Sequence, residues 1–235
     1  FIGEAFVFLR GYSYTPGLIL SAAIPVFYYD LYAKRTIKDI LGHGIVICLA
    51  GSAAFCTVLS LHFIQLWFYT GSPVEAKNFL MDRALARGSS GDTNLETPWM
   101  IFQKWLNVRV FYLSKRIFAV FPQWQETFDR LNTFGNFHLL AFAGIIISSL
   151  LKFLQDKKIL RNPYIRDEVD TLFHLSLTTL AAMLASWSWF PALGHMSHHY
   201  HMNGIMYMLP FGLTLFVLLA LLIQTIFQWV MCRQN

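Results

Sequence analysis

Charged side chains are scarce in this sequence of 235 residues. Lys, Arg, Asp and Glu make up 13% of the chain, whereas an ordinary soluble domain carries about 25%. Hydrophobic residues reach 56%. A soluble protein of this composition would lack the surface charge that keeps it dispersed, so the deficit excludes a soluble protein and indicates a chain that lies in a lipid bilayer.

The signatures of common active sites are also lacking. The three cysteines, Cys48, Cys56 and Cys232, have no spacing typical of a disulfide scaffold or a zinc site. The sequence has no Gly-rich phosphate loop, no CxxC and no Ser/His/Asp set in a recognisable motif. We therefore expect no enzymatic activity and no cofactor. The net charge of +5 forms no basic face, so no direct nucleic-acid binding is expected.

Long apolar runs are what the chain does have. A bilayer core about 30 Å thick needs about 20 helical residues, and backbone groups in hydrocarbon must be paired within the segment. Four runs meet this requirement: residues 44–70, 134–151, 172–190 and 206–232. The sequence predicts an all-α, polytopic helical membrane protein with four transmembrane helices and extramembrane amphipathic helices. A weaker apolar run at 16–33 fits a fifth span and an interfacial hairpin equally well.

The positions of Lys and Arg predict the organisation and orientation of the chain. Basic residues mark the short links 34–43 and 152–170, whereas the link 191–205 has none. The positive-inside rule therefore places the first two links and the C-terminus in the cytoplasm. Four segments follow from this: 1–43 as an N-terminal hairpin or span with a basic link, 44–71 as a transmembrane helix, 72–133 as an extracytoplasmic helical region, and 134–235 as a three-helix membrane segment.

The extracytoplasmic region contains two predicted helices. Ser72-Pro73-Val74-Glu75 is a capping box with proline at the first helical position, and it predicts a helix that ends near Gly88. Farther on, apolar side chains recur every three or four residues, which is a helical stripe. This stripe comprises Trp99, Phe102, Leu106, Val110, Leu113, Ile117 and Val120. Such a helix can lie on the membrane, dock on a partner or cover the protein's own spans.

Histidines provide the candidate metal ligands. Four of them, with two methionines, fall within eight residues of the link 191–205: His195, His198, His199 and His201. Imidazole and thioether groups bind Zn²⁺, Cu²⁺ or Cu⁺, and the spacing resembles one histidine box of membrane desaturases, which need several boxes. We interpret the segment first as a polar turn and second as a metal site. His62, His138 and His174 are interpreted as structural histidines with satisfied hydrogen bonds.

Small and hydroxylated residues indicate helix packing. The first span has small residues that permit close approach of another helix: Gly42, Gly44, Gly51 and Ser52, with Ala50, Ala53 and Ala54. We further expect Ser148, Ser149, Thr178 and Thr179 to form hydrogen bonds across helices. The candidate partner-binding residues are Gly44, Gly51, Ser52, Trp99, Phe102, Leu106, Val110, Leu113 and Ile117.

The chain contains Gly51-Ser52, Leu66-Trp67-Phe68 and a predicted helix with Ala76, Leu80 and Leu85, then Arg166-Asp167-Glu168, His174 and Leu209-Pro210-Phe211. These motifs resemble a membrane-protein family encoded in integrating conjugative elements and conjugative plasmids. The resemblance covers residues 45–87 and 135–232. It implies an accessory protein of the bacterial inner membrane that associates with the type IV coupling protein, the ATPase that delivers DNA to the secretion channel.

Three functional hypotheses remain open at this stage. The first is a non-enzymatic membrane subunit of a conjugative DNA-transfer apparatus, in contact with lipid and with the transmembrane helices of the coupling ATPase. The second is an accessory subunit of a respiratory or other energy-transducing complex. The third is a metal-dependent membrane enzyme or metal transporter that uses the His-rich link.

Overall fold

The computed structural model describes residues 15–88, 98–107, 122–159, 166–188 and 193–231. Within these ranges the chain forms helices and no strand, which confirms the all-α class. The helices are α1 (Thr15–Tyr32), α2 (Ile37–Thr70), α3 (Pro73–Gly88), α4 (Pro98–Leu106), α5 (Pro122–Leu131), α6 (Phe134–Asp156), α7 (Arg166–Trp187) and α8 (Leu193–Met231).

Four of these helices are long and apolar enough to cross a membrane, as predicted: α2, α6, α7 and the part of α8 from Pro210 to Trp229. The run 16–33 forms α1, one continuous helix rather than a hairpin, with Pro25 inside it. Its apolar part, Ile19–Tyr32, is shorter than the other four.

Helix α2 starts seven residues before the predicted span because its first turn is capped. The Thr36 hydroxyl accepts a hydrogen bond from the Asp39 amide, and the Asp39 carboxylate accepts one from the Thr36 amide. This reciprocal pair satisfies two amides that have no helical partner. At the other end Gly71 adopts a left-handed conformation (φ 70°) and donates its amide to Trp67 O, which ends the helix.

Two clusters of buried side chains show how the helices run. In one, Ile24 of α1 lies with Phe134 and Phe137 of α6, Met183 of α7 and Phe211 of α8. In the other, Leu172 of α7 and Leu222 of α8 pack with Tyr28 and Leu151. Chain numbers rise from the first cluster to the second in α1, α6 and α8 and fall in α7. Helix α7 is therefore antiparallel to the other three.

Helix α2 runs antiparallel to α1 and lies at the edge of the bundle. Ile19 packs with Ala54 and Val58, whereas Asp30, near the other end of α1, pairs with His43. The α1–α2 turn, the α6–α7 link and the C-terminal end of α8 consequently share one end of the bundle. These are the segments that the positive-inside rule groups together; the side of the membrane that they face stays a prediction.

The opposite end is covered by the predicted extracytoplasmic helices. Helix α3 begins at Pro73, and the Glu75 amide donates to the Ser72 hydroxyl, which is the first half of the predicted capping box. The Ser72 amide donates to the Thr70 hydroxyl. Ala76 is completely buried, and α3 and α4 both contact α8. Helix α5 was not predicted from the sequence; its end is joined to α6 where the Asn136 amide group donates to Arg130 O at 2.7 Å.

Close approach of α6 and α8 depends on a glycine. A methyl group at Gly144 would lie 3.1 Å from Leu218 Cδ2, closer than ordinary van der Waals contact. Ala141, Gly144 and Ser148 follow one another at helical spacing along α6 and are all buried. Small residues thus pack within the chain on α6, which the sequence did not predict, as well as on α2, where Gly51 and Ala54 are buried.

Candidate functional site

His138 has both ring nitrogens satisfied. Its Nδ1 lies 2.7 Å from Phe134 O, and its Nε2 lies 3.0 Å from Trp187 Nε1. Because an indole N–H can only donate, Nε2 must accept and the ring proton sits on Nδ1, so the imidazole is neutral. Trp187 stacks on the ring and Phe211 lies 4.8 Å away between centroids. The residue is a structural link between α6 and α7, as interpreted from the sequence.

His174 differs from that interpretation. Its Nδ1 is buried and has no hydrogen-bond partner within the described part of the chain. The charges around it come from α7, the α1–α2 turn and α6: they belong to Asp170, Lys34 and Lys152. Asp170 lies one turn earlier in α7 and forms an ion pair with Lys152 of α6 at 2.9 Å. Lys152 also pairs with Asp156 at 2.7 Å. This group joins α6 to α7 next to the basic link.

The expected hydrogen bonds across helices are wrong for two threonines. Thr178 donates to His174 O at 2.8 Å and Thr179 donates to Leu175 O at 2.9 Å, both within α7. A hydroxyl one turn from a carbonyl of its own helix always has that acceptor in reach, so no neighbouring helix is needed. The Ser148 hydroxyl is completely buried without a hydrogen-bond partner among the described residues.

The His-rich link is not a turn over most of its length. Helix α8 begins at Leu193 and continues through His195, His198, His199 and His201 to Met231. At 1.5 Å per residue its 39 residues span about 58 Å, so the helix extends well beyond a bilayer core. The side chains of 193–209 lie outside the described ones, and the metal hypothesis stays a prediction. No cluster of three or more metal-binding side chains occurs among the described residues.

The candidate helix after Trp99 is described only as far as Leu106. Trp99 is 63% exposed, whereas Phe102 and Leu106 pack against the buried cluster of α1, α6, α7 and α8. Leu106 O lies 3.3 Å from the position of a Cβ at Gly135. This part of the stripe therefore covers the protein's own spans. Val110, Leu113 and Ile117 lie outside the described residues.

Helix α2 presents three different faces. The first packs on α1 and buries Gly51, Ala54 and Val58, so Gly51 is used within the chain. In the most apolar part of α2, 17% of the residues are buried, against 56% in α7. Most of the α2 surface is thus not covered by the described chain.

The second face of α2 borders a groove of about 650 Å³ between α1, α2 and α7. Gly44 and Ser52, two of the predicted partner-binding residues, line it on the α2 side. The α1 wall includes Ala23 and Phe27, and the α7 wall consists of Ala181, Leu184 and Ala185. A Cβ at Gly44 would meet no atom within 4 Å. The lining is apolar apart from Ser52, Cys48 and one charged residue at the end next to the α1–α2 turn.

At that end Asp30 is the one charged residue that lines the groove. Its carboxylate lies 2.8 Å from His43 Nδ1, and its side chain is 10% exposed. This pair was not predicted from the sequence. A carboxylate and a histidine on either side of a short basic turn could have indicated it. However, the run 16–33 fitted a hairpin as well as a span, so the sequence did not show which residues of α1 and α2 lie next to each other.

The third face, which we call the outer face, consists of Gly42, Val46, Ala53, Thr57 and Ser60. Their spacings of 4, 7, 4 and 3 residues place them along one side of the helix. Val46 is 64% exposed, and Ala53, Thr57 and Ser60 are exposed too. A Cβ at Gly42 would meet no atom within 4 Å. Four of the five residues of the outer face have small side chains, and the exposed Leu49 and Ile64 border it.

No family model, curated protein or solved structure matches this chain.

Proposed function

We propose that this protein is a non-enzymatic helical subunit of a membrane assembly that binds a transmembrane helix of its partner on the outer face of α2. The observation that carries the proposal is the combination of small side chains with open space along that face. Interfaces between membrane helices are enriched in small residues because these let two backbones approach closely. Large apolar side chains, which suit contact with lipid, dominate elsewhere on α2, for example Leu61 and Phe68.

The small residues of the outer face also supply polar groups for such an interface. Thr57 donates to Ala53 O at 2.8 Å, which leaves its oxygen able to accept a hydrogen bond from another helix. Contacts of this kind contribute about 1 kcal/mol in membranes. Close packing would therefore supply most of the affinity, and the hydroxyls would add orientation.

The partner that we propose is the coupling ATPase of a conjugative DNA-transfer apparatus in the bacterial inner membrane. This part of the proposal rests on the motif resemblance over residues 45–87 and 135–232. The outer face lies within the first of these ranges. The chain would contact lipid and the transmembrane helices of the ATPase, and it would not bind DNA itself.

The experiment is co-purification from mild detergent after co-expression with the coupling ATPase. The native chain should retain the ATPase, and Gly42→Leu should lower retention about five- to thirtyfold, the loss expected when an interface residue costs 1–2 kcal/mol. Gly44→Leu, two residues away in the groove, is the matched control and should retain the ATPase. A native chain that fails to bind an intact ATPase contradicts the choice of partner.

A further inference from the structure

We infer that the groove between α1, α2 and α7 holds one acyl chain of an anionic phospholipid, whose headgroup is bound by the basic α1–α2 turn. This inference needs a bilayer but does not depend on the proposed partner. Its first support is the composition of the groove. Apart from Asp30, Ser52 and Cys48, the residues that line it are aliphatic, aromatic or glycine, and 650 Å³ lies within the usual size of a ligand site.

The length of the groove matches one leaflet. On α2 the lining residues run from Ile40 to Ser52, a rise of about 18 Å at 1.5 Å per residue. Half of a bilayer core about 30 Å thick is about 15 Å. A partner helix that crosses the membrane would need a groove about twice as long. The dimensions therefore favour a lipid tail that enters from one side.

Charge at the mouth of the groove identifies the headgroup. The stripe Leu41, Ile45, Leu49 and Ser52 on α2 continues at helical spacing to Lys38, so this ammonium group stands on the same face as the apolar wall. Lys34 and Arg35 precede it in the turn, and all three are exposed. Basic pockets between membrane helices bind anionic headgroups.

Two acidic groups nearby have partners of their own. Asp30, inside the groove, pairs with His43 at 2.8 Å, and Asp39 accepts hydrogen bonds from the Thr36 hydroxyl and amide. The three basic residues have no ion pair within the described part of the chain. Their charge is therefore available to an anionic ligand outside the chain.

The experiment measures retained lipid by native mass spectrometry after exposure to an equimolar mixture of phosphatidylglycerol and phosphatidylcholine in detergent. The native chain should retain one phosphatidylglycerol molecule. Gly44→Leu should abolish this retention because a leucine side chain fills the groove, whereas Gly42→Leu, on the outer face, should leave it intact. Ser52→Leu fills the groove from its other end and provides a second variant if Gly44→Leu does not fold.

The headgroup is tested separately. Lys38→Gln should lower the preference for phosphatidylglycerol over phosphatidylcholine about fivefold, the effect of one charge near a membrane surface. Lys157→Gln, which removes an exposed charge of the α6–α7 link at the same end, is the control and should leave the preference unchanged. Absence of bound lipid from the native chain overturns the inference, as does equal retention by the native chain and both groove-filling variants.

A partner polypeptide that occupies the groove would give a different result. Gly44→Leu would then release a co-purified protein and leave lipid retention unchanged, which also overturns the inference. Failure of the proposed function can be told apart from failure of the lipid site, because it is measured as ATPase retention by the native chain and by Gly42→Leu. Failure of the lipid site is measured as lipid retention by the native chain and by Gly44→Leu.

Discussion

Several polar side chains in this protein form hydrogen bonds or ion pairs that join neighbouring helices. His138 and Trp187 satisfy each other across α6 and α7, and Lys152 joins the same two helices through Asp170. His43 and Asp30 do so for α1 and α2. These three pairs connect neighbouring helices, whereas His174 Nδ1 and the Ser148 hydroxyl are buried without a hydrogen-bond partner in the described part of the chain.

The His138–Trp187 hydrogen bond yields a first prediction. Trp187→Phe leaves the buried Nε2 of His138 without its donor and should lower the free energy of unfolding by about 1 kcal/mol. The measurement is unfolding by SDS titration in mixed micelles. Trp67→Phe, at a 45% exposed tryptophan of α2, is the matched control. Equal losses in the two variants would show that the hydrogen bond contributes nothing.

The two carboxylates around Lys152 yield a second prediction. Asp156 is 60% exposed and lies one turn away on the same helix, where such pairs contribute about 0.3 kcal/mol. The side chain of Asp170, which lies on α7, is 32% exposed, about half the value for Asp156. Asp170→Asn should therefore lower the free energy of unfolding by about 1 kcal/mol, clearly more than Asp156→Asn. The same SDS titration compares them, and the reverse order would contradict the role of Lys152 as a link between helices.

At the scale of helices, hydropathy located the membrane spans but not their ends. Residues 44–70 were predicted from their lack of charge, yet α2 starts at Ile37 because Thr36 and Asp39 cap it. That capping box could have been read from the sequence. Helix α8 starts at Leu193, 13 residues before the span predicted from 206.

The packing of helices was less predictable than their existence. The small residues of α2 suggested one adhesive surface, whereas the structure divides them among three faces with different neighbours. The close contact of Gly144 in α6 with Leu218 was not predicted from the sequence. Periodicity shows which residues share a face, but only the positions of the other helices decide what covers that face.

Gly144 and Gly42 give a third prediction at this scale. Gly144→Leu should lower the free energy of unfolding by about 1–3 kcal/mol because it overpacks the α6–α8 contact. Gly42→Leu should leave it unchanged or raise it, since leucine favours a helix and finds open space there. SDS titration in mixed micelles measures both. A destabilised Gly42→Leu would mean that the outer face packs within the chain.

The molecule as a whole consists of a four-helix bundle and of α2, which lies at the edge of that bundle. Helices α1, α6, α7 and α8 share continuous buried clusters, whereas α2 is attached mainly through α1 and closes one side of the groove. Such an arrangement leaves a long apolar helix free to bind a partner without disturbing the bundle.

Orientation gives a fourth prediction, at the scale of the molecule. After replacement of Cys48, Cys56 and Cys232 by Ser, a cysteine at Lys157 should react with a membrane-impermeant maleimide only in inverted vesicles. A cysteine at Val74, which is 64% exposed at the other end, should react in intact spheroplasts. Labelling in the opposite pattern would reverse the positive-inside assignment and place the basic turn outside.

The most direct test of the central claim is photo-crosslinking in the native membrane from single positions on α2. A photoreactive amino acid is placed at Val46, Ala53 or Ser60 on the outer face, or at Val58 on the face that packs on α1. The account predicts crosslinks from the three outer positions to a transmembrane helix of the coupling ATPase, and crosslinks only within the chain from Val58. Crosslinks from the outer face to lipid alone, in cells that contain the ATPase, would contradict it.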